Sequence, residues 1–196
     1  MACALNAQEL VNVGEGDVVV VMGAGPIGCM HVRLARALGA SAVYLADVNA
    51  GRLALSANAV HPDAAIDMSV VDIEEEVSRL TNGRGPSVVI TAAPAGAAQE
   101  QAIRMVQPGG RVSFFGGLPK DQPFIQCDSN LVHYKELILA GANGSSPDHN
   151  KRALELIASG RVPVADLLTH RVPLDQVDKA IEYVLSGEAI KVVVIP

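Results

Sequence analysis

Three glycines and an aspartate carry the most legible chemistry of this chain. The run Val18-Val19-Val20-Val21-Met22 is followed at once by Gly23-Ala24-Gly25-Pro26-Ile27-Gly28. A short apolar run reads as a buried parallel strand, and G-x-G-x-x-G directly after it opens a helix. In that pattern Gly23 permits the tight turn, Gly25 lets the backbone approach a pyrophosphate, and Gly28 allows close helix–strand packing. Pro26 and Ile27 begin the helix, and the missing N–H of Pro26 costs nothing there. The unbonded N–H groups and the dipole of that helix end attract phosphate. Val43-Tyr44-Leu45-Ala46 reads as the next strand, and Asp47 ends it 19 residues beyond Gly28. An acid at that distance takes the 2′-hydroxyl of an adenosine ribose. A glycine turn alone would read as a tight connection; strand, turn and spaced acid together point to a bound dinucleotide.

These groups need a scaffold, and the rest of the pattern supplies one. A short helix is expected over 2–12, closed by Gly14-Glu15-Gly16-Asp17. The helix after Pro26 carries Ile27, Met30, Leu34 and Leu38 on one face and stops at Gly39. A helix over 50–58, a strand at Ala64-Ala65-Ile66 and a helix capped by Asp72 come next. Ser87-Val88-Val89-Ile90-Thr91 is a fourth strand, 96–106 a helix, Arg111 to Gly116 a fifth strand and Lys135 to Gly141 a sixth. Alternation of this kind implies βαβ crossovers and an α/β doubly wound parallel sheet, the Rossmann fold, over residues 1–142. Residues 143–196 form a separate helix/strand tail. It has a helix over 150–159, a strand at Leu167–Val172, a helix over 174–185 and a strand at Ile190–Ile195.

Composition excludes several classes. The 196 residues are 49% apolar but only 3% aromatic, so the core is aliphatic, as suits helices on a parallel sheet. The net charge of −6 without a basic block argues against nucleic acid as partner. No apolar run approaches the length of a membrane span, and the start lacks the basic residues of a secretory signal. A cytoplasmic setting is expected. Cys3, Cys29 and Cys127 are three in number, widely spaced and without a C-x-x-C, which reads as reduced thiols. The five histidines lack the spacing of a metal site and read as surface or packing residues. Glu74-Glu75-Glu76 reads as an acidic helix start favoured by the dipole.

Gly14-Glu15-Gly16-Asp17, Gly23 to Gly28, Asp47 with Arg52, Thr81-Asn82-Gly83-Arg84-Gly85, Pro108-Gly109-Gly110 and the closing run Lys191 to Pro196 share one further property. Together they resemble the cofactor-binding half of medium-chain, zinc-type alcohol and polyol dehydrogenases, near the sorbitol and threonine dehydrogenase branch. The resemblance spans essentially the whole chain and implies NAD as cofactor. It also implies an N-terminal catalytic domain, absent from this sequence, that holds the zinc ligands and the substrate pocket. Residues from 143 onward would complete that domain, leaving the two tail strands without their usual sheet partners and apolar residues such as Leu167, Leu168, Val192 and Val194 exposed. Homodimers are implied as well, with two sheets joined edge to edge through Pro123-Phe124-Ile125-Gln126 and the strand after Lys135.

Further site candidates follow from both lines of reasoning. Open α/β sheets bind ligands at the carboxyl ends of strands, beside the point where strand order reverses. That places Ala92-Ala93-Pro94 and Gly116-Gly117-Leu118 along the cofactor, although glycine and proline also suit ordinary turns. Val48 would wall the adenine. Arg52 either meets the adenine or ribose or is a solvated helix residue. Three functions stay open: the cofactor half of an oxidoreductase acting on a secondary alcohol, a stand-alone NAD(H)-binding module without catalysis, and an oligomerising remnant.

Overall fold

The computed structural model describes all 196 residues. Six parallel strands form one sheet: β1 (Val18–Met22), β2 (Ala42–Asp47), β3 (Ala64–Asp67), β4 (Val88–Thr91), β5 (Arg111–Phe114) and β6 (Ile138–Gly141). Their spatial order is β3-β2-β1-β4-β5-β6, so the chain reverses direction across the sheet between β1 and β4. Helices α1 (Ala2–Leu10), α2 (Pro26–Ala37) and α3 (Ala50–Val60) precede the second half, in which α4 (Ile73–Leu80), α5 (Gly96–Met105) and α6 (Ser129–Tyr134) follow. Cys29, Val32 and Leu53 pack with Val19, Val21 and Leu45 on one face of the sheet. Ile73, Val77 and Ala102 pack with Val20, Val89 and Val112 on the other. Alternate residues of β1 thus serve opposite cores, which explains its unbroken apolar run.

The lower end of the sheet is held by one carboxylate. Asp17 accepts hydrogen bonds from Gly14 N–H at 2.9 Å and Ser87 Oγ at 2.7 Å, and it pairs with Arg111. Arg111 also donates to the carbonyls of Val11 and Asn12. One buried charge therefore joins the loop after α1 to the starts of β1, β4 and β5.

Several sequence expectations shift. The first helix ends at Leu10 instead of 12, and Asn12 turns the chain with φ +48°. The expected apolar stripe of α2 faces α1 in part. Leu34 is buried against Ala4 and Leu5, while Cys29, Val32 and Ala35 face the sheet. A helix with neighbours on two sides has two apolar faces, which a single-stripe reading misses. The sixth strand starts at Ile138 because Asp128 caps α6, and Glu136 then turns the chain at φ +54°. Pro123 to Gln126 forms no strand, so β6 alone is that edge of the sheet.

In the tail, α7 (Pro147–Ala158) begins three residues earlier than expected, because Ser146 and His149 form a capping box. Strands β7 (Leu168–Pro173) and β8 (Lys191–Ile195), with α8 (Val177–Ser186) between them, pair in parallel with each other. Each is the other's only sheet partner. Of the residues expected to be exposed, Leu167 instead joins the main core at 2% exposure, while Leu168 is exposed. Val192 and Val194 line an open apolar groove with Val177, Ile181, Val184 and Leu185 of α8. No helix is long and apolar enough to cross a membrane.

His31 is enclosed completely between α1, α2 and Phe115. The Gln8 amide donates to the His31 carbonyl at 2.8 Å and lies 3.2 Å from its Nδ1, which fixes Nδ1 as the acceptor. Burial pushes the imidazole down to about 3. The unfolded chain, with its histidine near the ordinary value of about 6.5, binds the proton first as pH falls. The stability held by neutral His31 is thus complete above about pH 6.5 and is lost progressively toward pH 3, by up to about 1.4 kcal/mol per pH unit. Urea unfolding between about pH 7.5 and 5.5, above most of the range where carboxylates titrate, should show this decline. His31→Phe should flatten it.

Candidate functional site

The carboxyl ends of β1, β2, β4 and β5 converge at the reversal point of the sheet. Gly23 has φ +117°, a conformation that disfavours any side chain, and its N–H donates to the Ala46 carbonyl at 2.7 Å. Gly28 faces back onto this turn. A Cβ there would lie 1.9 Å from the Gly23 carbonyl oxygen, so only glycine lets α2 approach β1 this closely. Gly25 differs, because a Cβ on it would meet nothing within 4 Å. It is the helix N-cap, no side chain caps α2, and Pro26 occupies the first turn. The N–H groups of Ile27 and Gly28 thus lack intrahelical acceptors and stand at the positive end of the helix.

Asp47 is 4% exposed and reaches under this turn. Its Oδ2 accepts from Ala24 N–H at 2.7 Å and from Arg52 Nε at 3.0 Å. Its Oδ1 accepts from Asn49 N–H at 2.8 Å and from Arg52 Nη2 at 2.6 Å. Burial alone would raise its pKa, but the Arg52 pair and the two amides outweigh it and hold the carboxyl below its ordinary value. The same pair raises Arg52. Arg52 is therefore not a freely solvated helix residue; it is bound to Asp47, with its side chain 38% exposed. Val48 is 64% exposed at the rim beside them.

The two loops named from strand ends are brought to the same place. A Cβ on Gly23 would contact the Ala92 backbone at 3.1 Å, and one on Gly116 would lie 2.5 Å from the Ala93 carbonyl. Gly23, Ala92, Ala93 and Gly116 therefore form one tightly packed floor, with Pro94 on the connection to α5. Gly117 is unhindered, while Leu118 lies over the start of α5 near Gly96. Three supporting residues escaped the sequence reading. Buried Ser56 donates to the Ala24 carbonyl at 2.6 Å, Gln99 donates to the Gly116 carbonyl at 3.1 Å, and Asn49 caps α3 by accepting from Arg52 N–H. Asn49 before α3 does carry a cap signal in sequence, whereas the long-range bonds of Ser56 and Gln99 are set only by the fold.

The arrangement offers a positive, sterically open helix end and a neighbouring carboxylate, which fit a pyrophosphate and its ribose. The residues do not fit a zinc ion, since no three His, Cys, Asp or Glu side chains converge on one point. Cys3, Cys29 and Cys127 are free and apart. His149 lies in the α7 capping box and contacts Glu9, and His170 stacks on Tyr183.

A sequence model described as zinc-binding dehydrogenase matches residues 26–159. The chain belongs to the zinc-binding dehydrogenase family. It is 34% identical over 196 residues to sorbitol dehydrogenase of Halalkalibacterium halodurans, covering 100% of this chain and 57% of that protein. It is likewise 34% identical to an L-threonine 3-dehydrogenase of Bacillus licheniformis, covering 95% of this chain and 54% of the relative. Among solved structures, a zinc-binding dehydrogenase of Sinorhizobium meliloti 1021 bound to NADP superposes with a TM-score of 0.90 at 29% identity, over 100% of this chain and 57% of that one. The chain thus spans little more than half the length of these relatives.

The two glycines give opposite expectations. Gly28→Ala should destabilise the fold by roughly 2–4 kcal/mol, because a Cβ meets backbone that cannot retreat. Gly25→Ala should change stability by less than about 0.5 kcal/mol. Thermal unfolding of the two variants distinguishes these roles.

Proposed function

We propose that this chain binds NAD(H) as the cofactor-binding part of a zinc-type dehydrogenase. The complete enzyme would transfer hydride between a secondary alcohol, such as a polyol, and NAD. The open space at Gly25 beside the uncapped start of α2, with Asp47 across the turn, carries this reading. Ile27 and Gly28 would receive the pyrophosphate, Asp47 the adenosine ribose and Val48 the adenine. Ala92, Ala93, Pro94, Gly116, Gly117 and Leu118 would border the nicotinamide half, and Arg52, paired with Asp47, would meet the adenine or its ribose. NAD, when bound, supplies the hydride acceptor. This chain's part is to bind and orient it.

The substrate pocket and zinc ligands would lie in a further domain, to which residues 143–196 contribute. The open α8/β8 groove suits such a role. The reading in which the chain acts as an NAD-binding or oligomerising module without catalysis draws support from the lack of any metal-ligand grouping among its residues. Calorimetric titration with NADH tests the cofactor binding that the first two readings share, and an activity screen with polyols and added zinc tests whether this chain turns over by itself. Measurable NADH binding without turnover supports a cofactor-binding part that needs its further domain; turnover would overturn the need for that domain. A folded chain that binds no NADH overturns NAD binding and leaves the oligomerising reading. A cytoplasmic setting suits the three free thiols.

Cofactor choice follows from charge. A 2′-phosphate at roughly 4 Å from Asp47 would be repelled by about 4 kcal/mol per pair of unit charges at an effective dielectric near 20. NAD(H) should therefore bind more tightly than NADP(H), and Asp47→Ala should weaken NADH while narrowing the difference. Equal affinities in the wild type would contradict the role given to Asp47.

A homodimer through the β6 edge is part of the same proposal. Ile138 on that strand is 54% exposed, with Phe124 and Tyr134 exposed nearby. An uncovered apolar edge seeks a partner, and a two-fold axis would continue the sheet. Light scattering at high micromolar concentration should give twice the chain mass, and Ile138→Lys should give the monomer.

A further inference from the structure

Gln8 of α1 and His31 of α2 are polar, fully buried and outside the crevice. The Gln8 amide spans two atoms of one residue, the His31 carbonyl oxygen at 2.8 Å and Nδ1 at 3.2 Å. That double grip ties the imidazole to its own backbone and leaves the ring one orientation. An apolar side chain would fill the same space without a partner, and burying polar groups costs free energy unless they are bonded. What the pair adds is direction.

The ring is directed at Phe115. The two ring centroids lie 4.7 Å apart, with the planes at 85°. Perpendicular pairs at this spacing are favoured beyond the area they bury, because the positive edge of one ring meets the negative face of the other. Phe115 follows the last residue of β5 and precedes Gly116. It packs on the sheet face that carries α2. From the opposite face, Gln99 of α5 donates to the Gly116 carbonyl at 3.1 Å, and Gly116 N–H donates across to the Thr91 carbonyl at 2.7 Å. The loop after β5 is thus braced from both sides, and His31 is the brace on the α2 side.

We infer that His31, held by Gln8, is a positioning residue for the loop from Phe115 to Leu118, fixing where that loop meets the nicotinamide half of the cofactor. The inference rests on the NAD-binding reading for its ligand. Contacts run from α1 through Gln8, His31 and Phe115 to Gly116, so α1 reaches the site without touching it. Asp47 and the glycine turn are held by other bonds, to Ala24, Asn49 and Ala46. The influence of His31 therefore falls on one half of the cofactor.

Amide hydrogen exchange and calorimetric titration of the full chain separate this role from plain packing. In His31→Ala the Gly116 amide should exchange about ten-fold faster, while the Gly23 amide stays within about two-fold of wild type. NADH should bind about five-fold more weakly, the factor equivalent to one aromatic pair. ADP, which lacks the nicotinamide, should stay within about two-fold. Gln8→Met keeps the volume and removes both bonds, and should give the same pattern at smaller size. Unchanged Gly116 exchange in folded His31→Ala overturns the role. Equal loss for NADH and ADP, or equal acceleration at Gly116 and Gly23, overturns it too, because His31 would then be general packing. If thermal unfolding shows His31→Ala to be unfolded, Phe115→Leu, which removes the facing ring and keeps an apolar side chain, is held to the same outcomes. Should folded wild type bind neither ADP nor NADH, the NAD-binding reading falls and the role toward nicotinamide falls with it, whatever the Gly116 exchange shows.

Discussion

The closeness of Gly28 to the Gly23 carbonyl is the constraint on which the upper half of the molecule depends. With no Cβ between them, α2 seats directly on β1. Its uncapped end then points across the reversal of the sheet, and Gly23 packs against Ala92. Any larger residue at either place would lift the helix and open the floor formed with Ala93 and Gly116. Asp47 completes the arrangement from below by binding Ala24 N–H, so one side chain of β2 holds the turn that follows β1. Positioning and binding roles are therefore merged in this acid, and its hydrogen bonds must be read as part of the fold as well as of the site.

Most of the scaffold was legible because it is written locally. Apolar runs of strand length, Gly and Asp at helix ends, and the spacing from Gly28 to Asp47 all sit within a few tens of residues. The doubly wound sheet and the site floor followed from them. What was not legible depended on contacts distant in sequence or on side-chain conformation. The pairing of Asp47 with Arg52 is a matter of rotamer, and spacing alone left Arg52 with two readings. His31 looked like any helical histidine until α1 closed over it. The resemblance assigns the usual partners of the tail strands to another domain; that β7 and β8 pair in parallel with each other, and that α8 joins Val192 and Val194 in one apolar groove, follows from contacts no local pattern encodes.

The two ends of the sheet are organised by the same device with different outcomes. At the lower end, Asp17 gathers Gly14, Ser87 and Arg111 and ties three strand starts together. At the upper end, Asp47 gathers Ala24, Asn49 and Arg52. Asp17 lies among groups that all belong to the frame, and its Arg111 is anchored further by two carbonyls. Arg52 makes no side-chain hydrogen bond except to Asp47. A partnered buried carboxylate thus meets an arginine anchored at several points in one place and at a single residue in the other.

The strand order has a consequence for the time course of folding. Strand β1 meets β2 over a short connection, but it meets β4 only after a loop that separates Val18 from Ser87 by 69 residues. Closing a longer loop costs more chain entropy, and non-local pairings of this kind slow folding. The half containing β1 to β3 emerges first during synthesis and is able to form its local pairings before β4 exists. The crevice straddles the β1–β4 seam, so the last large loop to close is also the step that creates the place where a ligand would sit. A nascent chain holding the glycine turn and Asp47 alone would carry one wall of that crevice and no floor.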